Sequence, residues 1–395
     1  MKHVVIAGGG FAGVSLARKL KSQKDITVTI INKSSDFRYY PALYRAATGL
    51  KLGTARLPLE WMLIDTPRTK LVIDTVAKID PAHKTIDTLS GQKISYDYAV
   101  IALGSVTTYF NIQGLPENSY GIKSPDEIIK LRTHLHDKIS QKSDADENYV
   151  IVGAGPTGAE LAGGLGVYVK LITKKHKIKK HRVKIWLVEA GPRILPQLSE
   201  EAARAVHKRL NKLGVNILVN TAVSKETVHT LKTSSGTIKT NTVIWTAGTA
   251  NNPFFEQNSQ YFNLNPKGRV IVNKHLQVQD NIYVIGDNAA TPNSGLAITA
   301  VRHAKFVADD LVAHLKKKKR PKKYESSGIQ VIPVGKGWAV LQFKNFVISG
   351  RLISLVRIAA DYIGYSDVLG KLKAFTVWSN TEKSEEDCDT CNKSS

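Results

Sequence analysis

An α/β fold made of two Rossmann-like, parallel-stranded units, one inserted in the other, is what the sequence predicts, and three observations predict it. The hexapeptide Gly8-Gly9-Gly10-Phe11-Ala12-Gly13 follows the run His3-Val4-Val5-Ile6-Ala7, and Gly153-Ala154-Gly155-Pro156-Thr157-Gly158 follows Tyr149-Val150-Ile151-Val152. Each is a G-x-G-x-x-G turn between strand-like and helix-like runs, where glycines let backbone N–H groups approach a pyrophosphate at a helix N-terminus. The third observation is order: strand-like runs characteristic of the first unit resume only after the second unit has closed. One fingerprint is weak evidence, whereas two in this context imply two dinucleotide pockets and electron transfer between their occupants.

The elements follow in order. Residues 3–7 read as a strand, 11–22 as a helix and 26–31 as a β-branched strand ending at Asn32, a βαβ unit. An acidic residue often takes the ribose hydroxyls about twenty residues past the glycines; here the amide of Asn32 stands near that place and can accept one hydrogen bond. The run from Ile94 to Ser105 reads as one buried strand returning beside the first. Gly114-Leu115-Pro116 breaks the pattern, and Pro125-Asp126-Glu127 opens a helix with acids in its first turn, as the helix dipole favours.

The second unit repeats this grammar with strand 149–152, a helix from about 157 and the strand Lys184 to Glu189, after an inserted basic segment from Lys170 to Lys184. Thr242 to Gly248 closes it, and Asn281 to Asp287 returns to the first unit. The expected division is 1–113 with 247–325, then 114–246, then a C-terminal region 326–380 and a disordered tail 381–395. In the C-terminal region, Val331 to Val347 is strand-rich, and Arg351 to Ile363 carries apolar residues at helical spacing. Val368, Leu369, Leu372, Phe375 and Trp378 continue an apolar stripe between Lys371 and Lys373.

Composition bounds the rest. The chain has 395 residues, 42% hydrophobic and 23% charged, and its 56 Lys and Arg against 33 Asp and Glu give a formal charge of +23. That excludes a disordered protein and predicts attraction to an anionic surface. The only cysteines, Cys388 and Cys391, stand in the tail, so no disulfide framework and a reducing compartment are expected. A lone C-x-x-C cannot complete a zinc site, and no metal is expected. Met1-Lys2-His3 leaves no room for a leader peptide, and no apolar run approaches the ~20 residues of a spanning helix. Membrane contact is therefore expected to be peripheral, on the cytoplasmic face.

Taken together these segments, with Tyr40-Pro41-Ala42-Leu43-Tyr44, Ala159-Glu160-Leu161-Ala162-Gly163, Trp245-Thr246-Ala247-Gly248 and Gly337-Trp338-Ala339-Val340, resemble the type II NADH:quinone oxidoreductases, a family of non-proton-pumping flavoproteins with two dinucleotide-binding domains. The resemblance implies FAD on the first fingerprint and NADH on the second. It implies FAD contacts from Gly8, Gly10, Phe11, Ala12, Gly13, Asn32, Lys33, Val76, Ala102, Gly104, Asp287 and Ala297, and NADH contacts from Gly153, Gly155, Gly158, Glu189, Ala247 and Gly248. It further implies a membrane quinone near Tyr40, Pro41, Ile298 and Arg302, docking of the C-terminal region on lipid, and a homodimer. The family carries two glutamines on the quinone-side helix where this chain has Ile298 and Arg302, which puts the quinone type in doubt.

Glu160 is the expected catalytic carboxylate beside flavin and nicotinamide; a surface or capping acid favoured by the helix dipole is the competing reading. Thr157 could touch the flavin edge or satisfy a local N–H. Glu189 should accept from the adenosine ribose and repel a 2′-phosphate, so NADH is preferred over NADPH. The basic segments 170–184 and 316–323 are solvated faces or anionic-lipid anchors, each cation near the membrane worth about 1 kcal/mol. They lack the interleaved aromatics of a base-stacking surface, so no specific nucleic acid is expected. Phe346 and Trp378 are core packing or interfacial anchors, the anchor being preferred. Disulfide reductases and sulfide:quinone reductases of this architecture need cysteines near the flavin, and none precedes Cys388. A soluble NADH-dependent reductase passing electrons to ferredoxin or oxygen, and a flavin-binding interaction protein resembling apoptosis-inducing factor, are the alternatives.

Overall fold

The computed structural model describes residues 1–140, 148–178, 183–326 and 328–381. Lys2–Ala7 (β1), Phe11–Leu20 (α1) and Ile26–Asn32 (β2) form the first βαβ unit, followed by Tyr40–Ala47 (α2), Thr69–Ile73 (β3) and Tyr98–Ile101 (β4). Pro125–Ser140 (α3) leads to Asn148–Val152 (β5), Pro156–Lys175 (α4), Lys184–Val188 (β6), Glu200–Lys212 (α5), Val215–Leu218 (β7) and Thr242–Trp245 (β8). Gln277–Gln279 (β9), Ile282–Val284 (β10) and Ala297–Leu315 (α6) come next, and Ile329–Pro333 (β11), Ala339–Phe343 (β12), Phe346–Gly350 (β13), Arg351–Leu369 (α7) and Lys371–Trp378 (α8) close the chain.

Two parallel sheets organise the molecule. The first has the order β9-β10-β4-β1-β2-β3, parallel except at β9, and the second the all-parallel order β7-β6-β5-β8. Val4 stands opposite Val28 on one side and Tyr98 on the other, and Val150 opposite Trp186 and Val243. Both faces are covered by other layers, so Val4 to Ala7, Ile30, Ile31, Tyr149 to Ile151 and Val243 are buried. Such sheets select near-continuous Val and Ile over alternation. The strands of the second sheet all lie between β4 and β9, so the first sheet is built from two separated stretches of chain.

Several expectations change. The single strand expected from Ile94 is two: Lys93–Ser95 joins a small antiparallel sheet, and β4 begins only at Tyr98. Asp97 makes the corner, its carboxylate accepting from the His3 N–H at 2.7 Å and from Lys2 Nζ at 2.8 Å. The basic segment is not wholly an insertion either. Lys170 to Lys175 are the last turns of α4, where cations suit the helix dipole, and residues 179–182 lie outside the described residues. In the run 316–323, Lys316 to Lys319 are exposed, but Arg320 donates its Nε–H to buried Asp310 at 2.8 Å. The stripe in the last helices divides. Val368, Leu369 and Val377 are core, while Trp378 is half-buried and donates its indole N–H to the Ile358 carbonyl at 2.8 Å. Trp378 therefore packs inward instead of anchoring outward. Thr381, expected in the disordered tail, is buried with its hydroxyl on the Trp378 carbonyl. Residues 382–395, with Cys388 and Cys391, lie outside the described residues.

Candidate active site

Both fingerprints fold as tight turns from a strand end into a helix. Gly8 has φ +111°, and a Cβ there would lie 2.3 Å from the Ala102 carbonyl oxygen, so the turn and the end of β4 approach as only glycine permits. By contrast, a Cβ at Gly10 or Gly155, immediately before α1 and α4, would meet nothing within 4 Å. The space where a side chain would stand, immediately before both helix N-termini and their unpaired N–H groups, is thus open.

The end of the second strand locks each turn. The Gly9 N–H donates to Asn32 Oδ1 at 2.9 Å, while Asn32 Nδ2 donates to the Ser34 carbonyl at 2.7 Å. In the second unit Glu189 Oε2 accepts from the Ala154 N–H and Oε1 from the Gly191 N–H, both at 2.8 Å. Asn32 Oδ1 thus uses one of its two lone pairs on its own turn and keeps the other to offer a ribose.

Asp287 is held in a short turn of the first unit. Ser105 Oγ donates to its carboxylate at 3.2 Å, and Asn288 exchanges two hydrogen bonds with the backbone of Gly104, at 2.9 and 2.8 Å. The Gly286 N–H donates to Nδ1 of His303 at 3.0 Å. Burial pushes that imidazole down to about 4, so it is neutral and able to accept. The fold thereby brings together Gly104 and Asp287, and places the Tyr40 phenol within electrostatic reach of Asp287, Arg38 and Glu127.

A charged cluster forms where α2, α4 and α7 meet. Arg357 and Asp361 share a face of α7 at i,i+4 spacing and form an ion pair, and Arg45 Nη2 of α2 lies 2.9 Å from the other oxygen of Asp361. The Tyr39 hydroxyl donates to Asp361 at 3.2 Å, and its ring stacks on Tyr365 with centroids 3.9 Å apart. Asp361 is only 2% exposed. Burial works to raise its pKa, but Arg45 and Arg357 together outweigh it and hold the carboxyl below the ordinary carboxylate range.

Glu160 projects from α4 into the same cluster. Burial pushes its carboxyl up to about 7, against the opposing pull of Arg357, Tyr44 and Arg45. It stands in the second turn of α4 instead of the first, among charges carried by other segments, so it is not a capping acid. Its pKa near neutrality lets it hold or yield a proton at physiological pH.

The other expected residues are distributed unevenly. Phe11, Ala12, Val76 and Ala102 are buried, Gly13 backs against Gly8, and Lys33 and Thr157 are exposed. Ala247 lies against Gly153, and Gly248 against the Thr108 carbonyl. Ala297 opens α6, with Ile298 42% exposed and Arg302 half-buried one turn later. Sequence reasoning missed Tyr39, Arg45, Arg357, Asp361, Asn288 and His303. The i,i+4 spacing of Arg357 and Asp361 was the one local signal, and nothing in it points to Arg45.

Residues 2–304 match the family model described as pyridine nucleotide-disulphide oxidoreductase. The chain belongs to that family. Among its relatives, the type II NADH:quinone oxidoreductase of Mycobacterium tuberculosis is 29% identical over 409 residues, covering 95% of this chain and 87% of the relative. That of Staphylococcus saprophyticus is 29% identical over 306 residues, covering 73% of this chain and 75% of its own. Among solved structures, NDH2 from Plasmodium falciparum in complex with NADH superposes with a TM-score of 0.82 at 18% identity, covering 96% of this chain and 98% of that one. The sulfide:quinone oxidoreductase of Aquifex aeolicus gives 0.81 at 21% identity, covering 94% and 92%. Likeness at this identity concerns fold. Despite the family's name, this member has no cysteine before Cys388.

The residues present fit FAD and a nicotinamide dinucleotide. Two open helix N-termini stand at strand ends, each backed by a glycine turn, and the Asp287 turn is braced beside Gly104.

Proposed function

We propose that the chain is a type II NADH:quinone oxidoreductase, with FAD held by the turn at Gly8 to Gly13 and NADH by the turn at Gly153 to Gly158. Glu160 carries the reading. The helix that starts at the second turn delivers a carboxyl titrating near neutrality against α2 of the first unit and α7 of the C-terminal region. The nicotinamide side, flavin side and acceptor side therefore share one proton-bearing group.

Bound FAD would supply the two-electron relay between nicotinamide and quinone. The chain's own residues bind, orient and manage charge. The N–H groups next to Gly10 and Gly155 would receive the two pyrophosphates, and Asp287 would take hydroxyls of the flavin's ribityl chain. Glu189, braced by two N–H groups, would bring its carboxylate to the ribose and disfavour a 2′-phosphate. Glu160 holds a proton for the acceptor, while Arg45 and Arg357, two cations sharing the single Asp361 carboxylate, keep its carboxyl from rising further. Ile298 and Arg302, with Tyr40 and Pro41, line the quinone's approach.

Membrane docking belongs to the same proposal. No helix among the described residues is long and apolar enough to cross a membrane. Yet Leu352 is 77%, Leu372 88% and Phe375 57% exposed, Leu355 and Ile363 are exposed as well, and so are Arg351 and Lys371 of the same two helices. Such a face suits a peripheral lipid contact. A homodimer rests on the resemblance alone, and light scattering of the purified chain tests it.

The decisive assay is NADH consumption by FAD-loaded protein on anionic vesicles containing a quinone, with the visible spectrum recorded before and after anaerobic NADH. A yellow band that bleaches and quinone-dependent turnover are expected; a colourless protein that refuses FAD, or a flavin that NADH does not reduce, refutes the proposal.

A further inference from the structure

Lys123 stands in the segment that opens the second unit, and its ammonium is a buried cation in an unusual position. Nζ is shielded from solvent, and none of the described residues gives it a hydrogen bond or ion pair. Burial depresses its pKa, and the charges acting to keep it protonated are Asp287 first and Glu127 second. Glu127 is engaged elsewhere: its Oε2 accepts from the backbone N–H of Lys123 at 2.6 Å and of Ser124 at 2.9 Å, while Ser124 Oγ accepts from the Glu127 N–H at 3.2 Å. This reciprocal capping box fixes the backbone on which Lys123 rides. Arg38 of the first unit donates to the Lys123 carbonyl at 3.3 Å, pinning the residue from the other side. A flexible surface lysine would show neither restraint. The ammonium is shielded from solvent and within electrostatic reach of Asp287, whose carboxylate already accepts from Ser105.

An unpaired buried charge is costly unless something compensates it. The compensating group must be anionic, must reach the neighbourhood of Asp287, and must carry its charge permanently, because the side chain is positioned whatever the redox state. An oxidised isoalloxazine is neutral and meets only the first two requirements after reduction; a diphosphate meets all three. We infer that Lys123 binds the diphosphate of FAD, an ion-pairing contact supplied to the first unit's cofactor from the segment that leads into α3 of the second unit. FAD is then a strut between the units, gripped by backbone N–H groups on one side and by this ammonium on the other. The inference rests on the FAD assignment proposed above.

The sign of two measurements tests it on the full chain. Lys123→Met should weaken binding of oxidised FAD about tenfold or more, the size of one lost charge-assisted contact. The same change should leave the melting temperature of the FAD-free protein unchanged or raised, since a buried unpaired charge is removed. Lys123→Arg should recover most of the affinity. A fall in FAD-free melting temperature equal to that of the loaded protein would assign Lys123 a structural role and overturn the inference, as would unchanged FAD affinity. If affinity holds while the flavin midpoint potential drops by about 30 mV or more, a tenfold change for a two-electron couple, the cation serves the reduced ring and the diphosphate assignment is wrong. Wild-type protein that fails to bind FAD would instead sink the cofactor assignment itself.

Discussion

Asn32 and Glu189 hold the same post in the two halves of the molecule: each stands at the end of the second strand of its unit, Asn32 as its last residue and Glu189 just past it, and accepts the N–H of the second residue of its glycine turn, at 2.9 and 2.8 Å. Only Glu189 brings a charge. The turns are braced alike, but only the second carries a carboxylate beside it.

Replacing Glu189 by Gln therefore narrows the preference for NADH over NADPH. Two like charges about 4 Å apart repel by about 4 kcal/mol at an effective dielectric of 20, and each 1.4 kcal/mol is about tenfold. The ratio of kcat/KM values for the two nucleotides should fall by roughly tenfold or more. An unchanged ratio would show that Glu189 faces away from the ribose.

Glu160→Gln should erase an ionisation near pH 7 from the pH profile of quinone-dependent turnover at saturating NADH. The folded carboxyl titrates near 7 against about 4.5 unfolded, so the folded state holds the proton more tightly. The stability cost of ionising it grows as pH rises from about 4.5 to about 7. The variant should therefore melt higher than wild type at pH 8 and match it more closely at pH 4, as calorimetry at the two pH values would show.

Asp361→Ala leaves Arg45 and Arg357 buried without their shared counter-ion. Loss of one partner in such a network costs about 3 to 5 kcal/mol, measurable by denaturant unfolding. With both guanidiniums released, the ionisation assigned to Glu160 should also move to lower pH.

Glu226 is 4% exposed, and among the described residues its Oε2 has no hydrogen-bond partner; burial, with a further push from Glu117, raises its carboxyl to about 8. Here too the proton is bound more tightly when folded, so stability falls as pH rises from about 4.5 to about 8. Glu226→Gln should stabilise the protein at pH 9 by about 1 to 3 kcal/mol, and lose that advantage in acid.

Leu372→Glu combined with Phe375→Glu should release the protein from anionic vesicles and lower quinone turnover severalfold. NADH oxidation with a water-soluble acceptor should persist, because both side chains point to solvent. Equal loss with both acceptors would show that α8 supports the site instead of meeting lipid.

Much of this was legible in the chain because it is local. Strand, glycine turn and helix are written within about thirty residues, so both parallel units, the openings over Gly10 and Gly155 and the acid at Glu189 can be read directly. The strand expected from Ile94 failed for an equally local reason, since Asp97 caps the His3 N–H and turns the chain before β4. Trp378 was misjudged because burial of its indole depends on a carbonyl twenty residues away.

The sequence by itself determined two phosphate-cradling turns on β-branched strands, since backbone conformation and side-chain periodicity are short-range properties. Tertiary structure alone decided what surrounds Glu160, because Arg45 and Arg357 are brought to one carboxylate from opposite ends of the chain. Packing that excludes water raises the proton affinity of Glu160, and the two guanidiniums that the fold brings to it temper that rise.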